Sequence, residues 1–202
     1  MTTYHDIAEW HRRLCQVTEQ IIISGDLHEK PSRAVRQLEG WRQAGISHIL
    51  DTRVEWSDKE LVAEHAPNIV YGWFGADDAG LRQPDAWFDD GVEFAMDAMQ
   101  EPGSVLLVHC HMGINRAPSM AYRILLECGW DPIEALDAIR ESRPIADIGY
   151  ARDALDHFHR THGIVQQTRT EDRDRLEAWQ RGYPMTGLHI TRASDDAAPP
   201  PT

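Results

Sequence analysis

Apolar and polar positions follow two periods along this chain, one helical and one of short continuous runs. Ile7, Trp10, Leu14 and Val17 recur at helical spacing, so residues 5–18 read as an amphipathic helix. Ile21 to Ser24 is a short apolar strand closed by Gly25. Pro31 to Ala44 reads as a helix with Ala34, Val35, Leu38 and Trp41 inward, and Gly45 near its stop. Ile49–Thr52 and Ile69–Phe74 are further strands, and Pro84 to Gln100 is a helix with Trp87, Phe88, Val92, Phe94, Ala95 and Met99 as apolar positions. Val105–Val108 is a continuous apolar run of strand length, suited to a sheet covered on both faces. Three helices follow: 117–128, Pro132–Glu141 with Asp131 as cap, and Tyr150–His162. This alternation predicts an α/β fold, a mainly parallel central sheet of four to five strands flanked by helices. Ligands of such sheets gather beyond the carboxyl ends of the strands.

The last strand-like run ends on the most informative segment, His109-Cys110-His111-Met112-Gly113-Ile114-Asn115-Arg116. A cysteine, a short loop and an arginine stand where a helix can begin. Backbone N–H groups of a loop leading into a helix N-terminus converge on an anion. The same field favours the thiolate form of a cysteine placed there. Gly113 supplies the positive φ or close backbone approach that such a turn needs. Arg116 brings a fixed fork of donors that matches two phosphate oxygens. This is the chemistry of phosphate-ester attack by a thiolate, with His111, Met112, Gly113, Ile114 and Asn115 as the substrate-binding loop.

Composition adds limits. The 202-residue chain carries a net charge of −13, which disfavours nonspecific nucleic-acid binding and anionic membrane surfaces. No apolar stretch reaches the length of a membrane span, and no basic-then-apolar leader opens the chain. With 3 cysteines, a disulfide framework is disfavoured and a reducing, cytoplasmic setting expected. Three consecutive His-Cys-His side chains alternate in direction and cannot easily close on one ion, so no metal and no other cofactor is expected.

His109-Cys110-(five residues)-Arg116 resembles the signature of the cysteine-based protein tyrosine phosphatase superfamily, and its surroundings resemble the dual-specificity branch. Ile22-Ile23-Ser24-Gly25-Asp26, Ala44-Gly45-Ile46-Ser47-His48-Ile49-Leu50-Asp51 and Arg143-Pro144-Ile145 with Gly149-Tyr150 extend the likeness over roughly residues 20 to 162. The resemblance implies hydrolysis of phosphomonoesters through a phosphocysteine intermediate, with Cys110 as nucleophile and Arg116 as phosphate ligand. It also implies a general acid on the loop Gly75-Ala76-Asp77-Asp78-Ala79-Gly80, which offers two adjacent carboxyls. Alignment through Ala86-Trp87-Phe88 points to Asp78, with Asp77 beside it as the alternative. His109 is expected to orient the loop by hydrogen bonding.

The family usually places Ser or Thr directly after the arginine, where the hydroxyl helps the thiolate depart. Here that position is Ala117, with Asn115 and Ser119 as the nearest substitutes, so breakdown of the intermediate is expected to limit turnover. The loop contains no lysine of the kind inositol-lipid phosphatases use, which points to a phosphotyrosine or mixed phosphoprotein substrate. A small phosphorylated metabolite or nucleotide is the rival, and a phosphopeptide-binding pseudoenzyme the alternative from another class. By domain, residues 1–164 read as the catalytic unit, 165–192 as a helical appendage with Thr170 to Arg181 helical, and 193–202 as a disordered tail. Cys128 is expected to be a buried helix residue.

Overall fold

The computed structural model describes residues 8–183. Its sheet contains β1 (Cys15–Gln16), β2 (Ile21–Ser24), β3 (His48–Arg53), β4 (Val70–Ala76) and β5 (Leu106–His109), in the order β1-β2-β5-β3-β4. Only the β1–β2 pair is antiparallel. Beyond residues 8–10, the helices among the described residues are α1 (Pro31–Gln43), α2 (Lys59–His65), α3 (Asp85–Gln100), α4 (Arg116–Glu127), α5 (Pro132–Ser142), α6 (Ala151–Thr161) and α7 (Gln166–Gly182). The fold is therefore the expected α/β sheet, mainly parallel and flanked by helices.

β5 is central, and all four of its residues are buried. One core beside the sheet gathers Leu38 and Trp41 of α1 with Val62 of α2, Ile49 and Leu107. The other gathers Phe88 of α3, Tyr122 and Leu125 of α4, Leu136 of α5, Leu155 of α6 and Trp179 of α7 against Ile23, Leu50 and Val108. A strand buried on both faces has no polar face to alternate with, which explains the unbroken Val105–Val108 run. α4 is buried along Arg116–Leu126, so it passes through the middle of this second layer. α5 begins as its sequence dictates: Asp131 accepts from the N–H groups of Ile133 and Glu134 at 2.8 and 3.3 Å, and Pro132 opens the helix.

Three expectations need correction. Residues 11–18 are not helical: Cys15 pairs with Ile23 across β1–β2, and of the described residues 8–18 only 8–10 are helical. Trp10, Leu14 and Val17 match a helical period, yet each packs against a different apolar cluster, so their spacing never described one face. Residues 5–7 lie outside the described residues. α2 was not foreseen because it is short and charged and buries only Val62. Cys128 is exposed, because α4 ends at Glu127 and the chain turns through Gly129 at φ +84°.

The charged helix expected at Thr170–Arg181 is longer, Gln166–Gly182, and Leu176 and Trp179 are its buried residues. Trp179 donates its indole N–H to Asp137 Oδ1 of α5 at 2.7 Å, and Arg173 pairs with Asp156 of α6 at 2.8 Å. The part of the appendage beyond residue 183, and the tail 193–202, lie outside the described residues. Among the described residues no helix is long and apolar enough to cross a membrane.

Candidate active site

The sheet register assembles the site. Ser24 and Asp51 both align with His109, so β2 and β5 end on one line and β3 runs two residues further, to Arg53. The residues just past those ends are Asp26, Glu55 and Cys110, brought together from three distant stretches of chain. β4 ends at Ala76 beside them and leads into the Asp77-Asp78 loop.

Cys110 is buried in a cavity of about 40 Å³ lined also by Glu55, Asp78, His111, Met112, Ile114, Asn115 and Arg116. Gly113 has φ +65° and donates its N–H to Cys110 Sγ at 3.2 Å. A Cβ on Gly113 would stand 2.5 Å from Arg143 Nη2 and 2.6 Å from Ser24 O, so both conformation and space require glycine. The loop is held from behind by Arg143, which donates to Gly113 O at 2.6 Å and Met112 O at 2.9 Å. The same guanidinium reaches His11 O and Arg13 O at 3.2 Å and Cys15 Sγ at 3.3 Å. With the loop carbonyls turned outward to Arg143, its amides are free to face the cavity.

Arg116 is 2% exposed, its two terminal nitrogens are engaged, and its Nε is buried without a hydrogen bond. Its Nη1 and Nη2 donate to the two carboxylate oxygens of Glu55 at 2.8 and 2.9 Å, and Nη1 also reaches Ala76 O at 2.9 Å. Burial works against the guanidinium charge, but Glu55, Cys110 and Asp78 outweigh it and hold the pKa of Arg116 above its usual value. Glu55 in turn lies below its usual range: burial would raise it, and the bonds to Arg116 prevail. Asp78 Oδ2 stands 3.6 Å from Arg116 Nε, while Oδ1 accepts from the Tyr150 hydroxyl at 2.7 Å. Asp77 faces a separate cavity of about 300 Å³ with Leu81, Pro84 and Trp87, and its carbonyl is tied to Gln83 Nε2 at 2.8 Å.

His111 is fixed by Asp26, Nδ1 to Oδ2 at 2.7 Å, and its ring meets Trp56 edge-on at 5.5 Å. Asp26 is fully buried; burial alone would raise its pKa, but bonds to His11 and His111 hold it well below the usual carboxylate range. Two groups of His and Asp side chains, His11/Asp26/His111 and Asp51/Asp58/His109, have the proximity of metal ligands. Guanidinium groups already supply their positive charge. Arg12 lies 3.0 Å from Asp26, and Arg53 lies 2.6 and 2.5 Å from Asp51 and Asp58.

Two supporting residues differ from expectation. The ring nitrogens of His109 are buried without a hydrogen-bond partner, near Trp41 and 3.7 Å from Asp51, so the ring does not bond the loop. Burial pushes its pKa down, against the pull of Asp51. It is the backbone carbonyl of His109 that is held, by Thr52 Oγ1 at 2.9 Å. Ser119 Oγ accepts from Tyr150 N at 3.0 Å, and Asn115 Oδ1 lies toward Gly149. Among the described residues, neither Ser119 nor Asn115 hydrogen-bonds Cys110 Sγ, whose one such partner is Gly113 N. Sequence reasoning missed Asp26, Glu55, Arg143 as a loop brace, and Tyr150. A charged side chain just past the end of an apolar strand was the available signal for the first two.

The fold with this loop at the end of β5 is that of the cysteine-based protein tyrosine phosphatases, and in sequence the chain resembles their dual-specificity branch. No family model matches the chain. Mouse protein tyrosine phosphatase type IVA 2 is 34% identical over 106 residues, covering 52% of this chain and 62% of that protein. Human dual specificity protein phosphatase 5 is 29% identical over 79 residues, covering 39% of this chain and 20% of that protein. The match thus spans less than two thirds of the length of these curated relatives. Among solved structures, human DUSP28 superposes with TM-score 0.59 at 15% identity, over 74% of this chain and 95% of that one. PTPMT1, solved in complex with PI(5)P, gives TM-score 0.59 at 17% identity over 76% and 97%.

Proposed function

We propose that the chain is a cysteine-dependent phosphomonoester hydrolase of the dual-specificity type, working through a phosphocysteine. The observation that carries this is one small cavity holding Cys110 Sγ with a loop amide on it, Arg116 and the Asp78 carboxyl. Curated relatives bearing phosphatase names support the same reading.

In the first step Cys110 Sγ attacks phosphorus, the S–P bond forms, and the P–O bond to the leaving group breaks as Asp78 protonates the departing oxygen. In the second, water attacks phosphorus, the S–P bond breaks, and Asp78 takes up the water proton. Arg116 and the amides of residues 111–116 hold the equatorial oxygens throughout, the electrostatic contribution that is usually the largest. Asp78 is chosen over Asp77 because only Asp78 shares the cavity of Cys110. The substrate is a phosphorylated protein, phosphotyrosine or mixed, and the setting cytoplasmic.

The test is hydrolysis of p-nitrophenyl phosphate, in EDTA and reductant, by wild type, Cys110→Ser and Asp78→Asn. Metal-independent turnover that Cys110→Ser abolishes and Asp78→Asn lowers by about 10²-fold or more is expected. Folded wild type that binds vanadate and releases no phosphate would overturn the enzyme reading in favour of a phosphate-capturing module.

A further inference from the structure

Tyr150, the residue before α6, ties three parts of the site together. Its backbone N–H donates to Ser119 Oγ on α4 at 3.0 Å, the helix that begins with Arg116. Its hydroxyl accepts from Gly80 N at 3.3 Å and stands 2.7 Å from Asp78 Oδ1. A phenol has one proton to give. Gly80 N–H is itself a donor, so that proton is committed to Asp78. Burial and the neighbouring Asp78 hold Tyr150 above its ordinary pKa, so it remains a donor at working pH.

We infer that Tyr150 is a positioning residue for Asp78, selecting which carboxyl oxygen carries the catalytic proton; this rests on the reading of Asp78 as general acid. With Oδ1 accepting from Tyr150, the proton of the neutral acid rides on Oδ2. That oxygen faces Arg116 Nε at 3.6 Å, the side on which a bound phosphoryl group and its leaving oxygen lie. As the S–P bond forms and the P–O bond breaks, the Oδ2 proton passes to the leaving oxygen and Asp78 becomes a carboxylate. When water later attacks, Oδ2 takes the water proton, and the Tyr150 proton stays on Tyr150 throughout. Without the phenol, a carboxyl on a loop whose neighbours Ala79, Gly80 and Leu81 are exposed turns freely about its last torsion, and the proton is no longer aimed.

The experiment compares kcat/KM of the full chain and Tyr150→Phe on phenyl phosphate and p-nitrophenyl phosphate, with vanadate inhibition alongside. kcat/KM reports the step that needs the acid, and phenolate, the poorer leaving group, needs it more. The expected result is about a tenfold loss on phenyl phosphate, less than about threefold on p-nitrophenyl phosphate, and unchanged vanadate affinity. In an Asp78→Asn background, Tyr150→Phe should cost nothing further on either substrate, because its effect travels through Asp78. Equal loss on both substrates, no loss, or additional loss in the Asp78→Asn background would overturn the inference while leaving the phosphatase reading intact. Absence of Cys110-dependent turnover in the parent protein would overturn both.

Discussion

Replacing Arg143 by methionine keeps the approximate length of the side chain and removes the brace behind the loop 111–116. Arg143 is buried and donates to four carbonyls and one thiol, none of them a carboxylate. His11 O keeps a second donor in Gly25 N and Arg13 O keeps one in the Cys15 thiol, whereas among the described residues Met112 O and Gly113 O have no other donor. An orphaned buried acceptor costs roughly 1–3 kcal/mol, and a carbonyl sits at the low end, so two cost about 2 kcal/mol or somewhat more. Against that, methionine avoids the burial of a charge that no carboxylate balances, the reason the pKa of Arg143 is pushed down. The net expectation is a loss of about 1–3 kcal/mol, or a Tm lower by roughly 3–10 °C for a domain of this size. Thermal unfolding followed by circular dichroism, with and without vanadate, measures it. The vanadate-induced rise in Tm should shrink as well, because Met112 and Gly113 no longer have their carbonyls drawn outward. Arg143→Lys should recover part of both losses. A methionine variant that melts within about 2 °C of the parent would refute the reasoning, and one that melts early with full vanadate affinity would make the brace purely architectural.

Acid should weaken the fold through Asp26. Its folded pKa is depressed, so near pH 3.8 and below the unfolded chain binds a proton that the folded chain does not, and stability falls as pH falls through that window. Urea unfolding between pH 3 and 7 should show this limb, and Asp26→Asn should flatten it; an unchanged slope in the variant would contradict the assignment. Ala117 predicts a slow second step, since neither Ser119 nor Asn115 reaches the thiol. Rapid mixing with p-nitrophenyl phosphate should therefore give an initial burst of product close to one equivalent per enzyme, and linear release from the first turnover would count against it.

What was legible in the sequence was local. Cys110 and Arg116 lie six positions apart, and continuous apolar runs marked the strands of the buried sheet. Asp131 and Pro132 announced α5 because a cap acts within its own turn. Asp26, Glu55 and Arg143 had no site role assigned from the sequence, because their partners are distant in the chain and only the neighbouring ends of β2, β3 and β5 bring them together. The first helix was misread for a related reason: period shows which residues share a face only when one core receives them, and Trp10, Leu14 and Val17 feed three. The hydrogen-bonding role expected of the His109 ring failed because the ring is enclosed by the sheet and α1, away from the loop it precedes.

The Glu55 carboxylate, paired through both oxygens to Arg116, gives the resting pocket a resident counter-ion. Any anion that takes Arg116 is therefore exchanged for one already there, and its affinity is the difference between two ion pairs rather than the strength of one. Because Glu55 is tethered, it acts as a competitor present at high local concentration. A free carboxylate offers Arg116 nothing that Glu55 does not already supply. A tetrahedral dianion brings a second charge and engages the loop amides, which a planar carboxylate cannot fill. Toward anions in solution the pocket is thus an ion exchanger graded by charge and shape, with its own carboxylate as the reference ion.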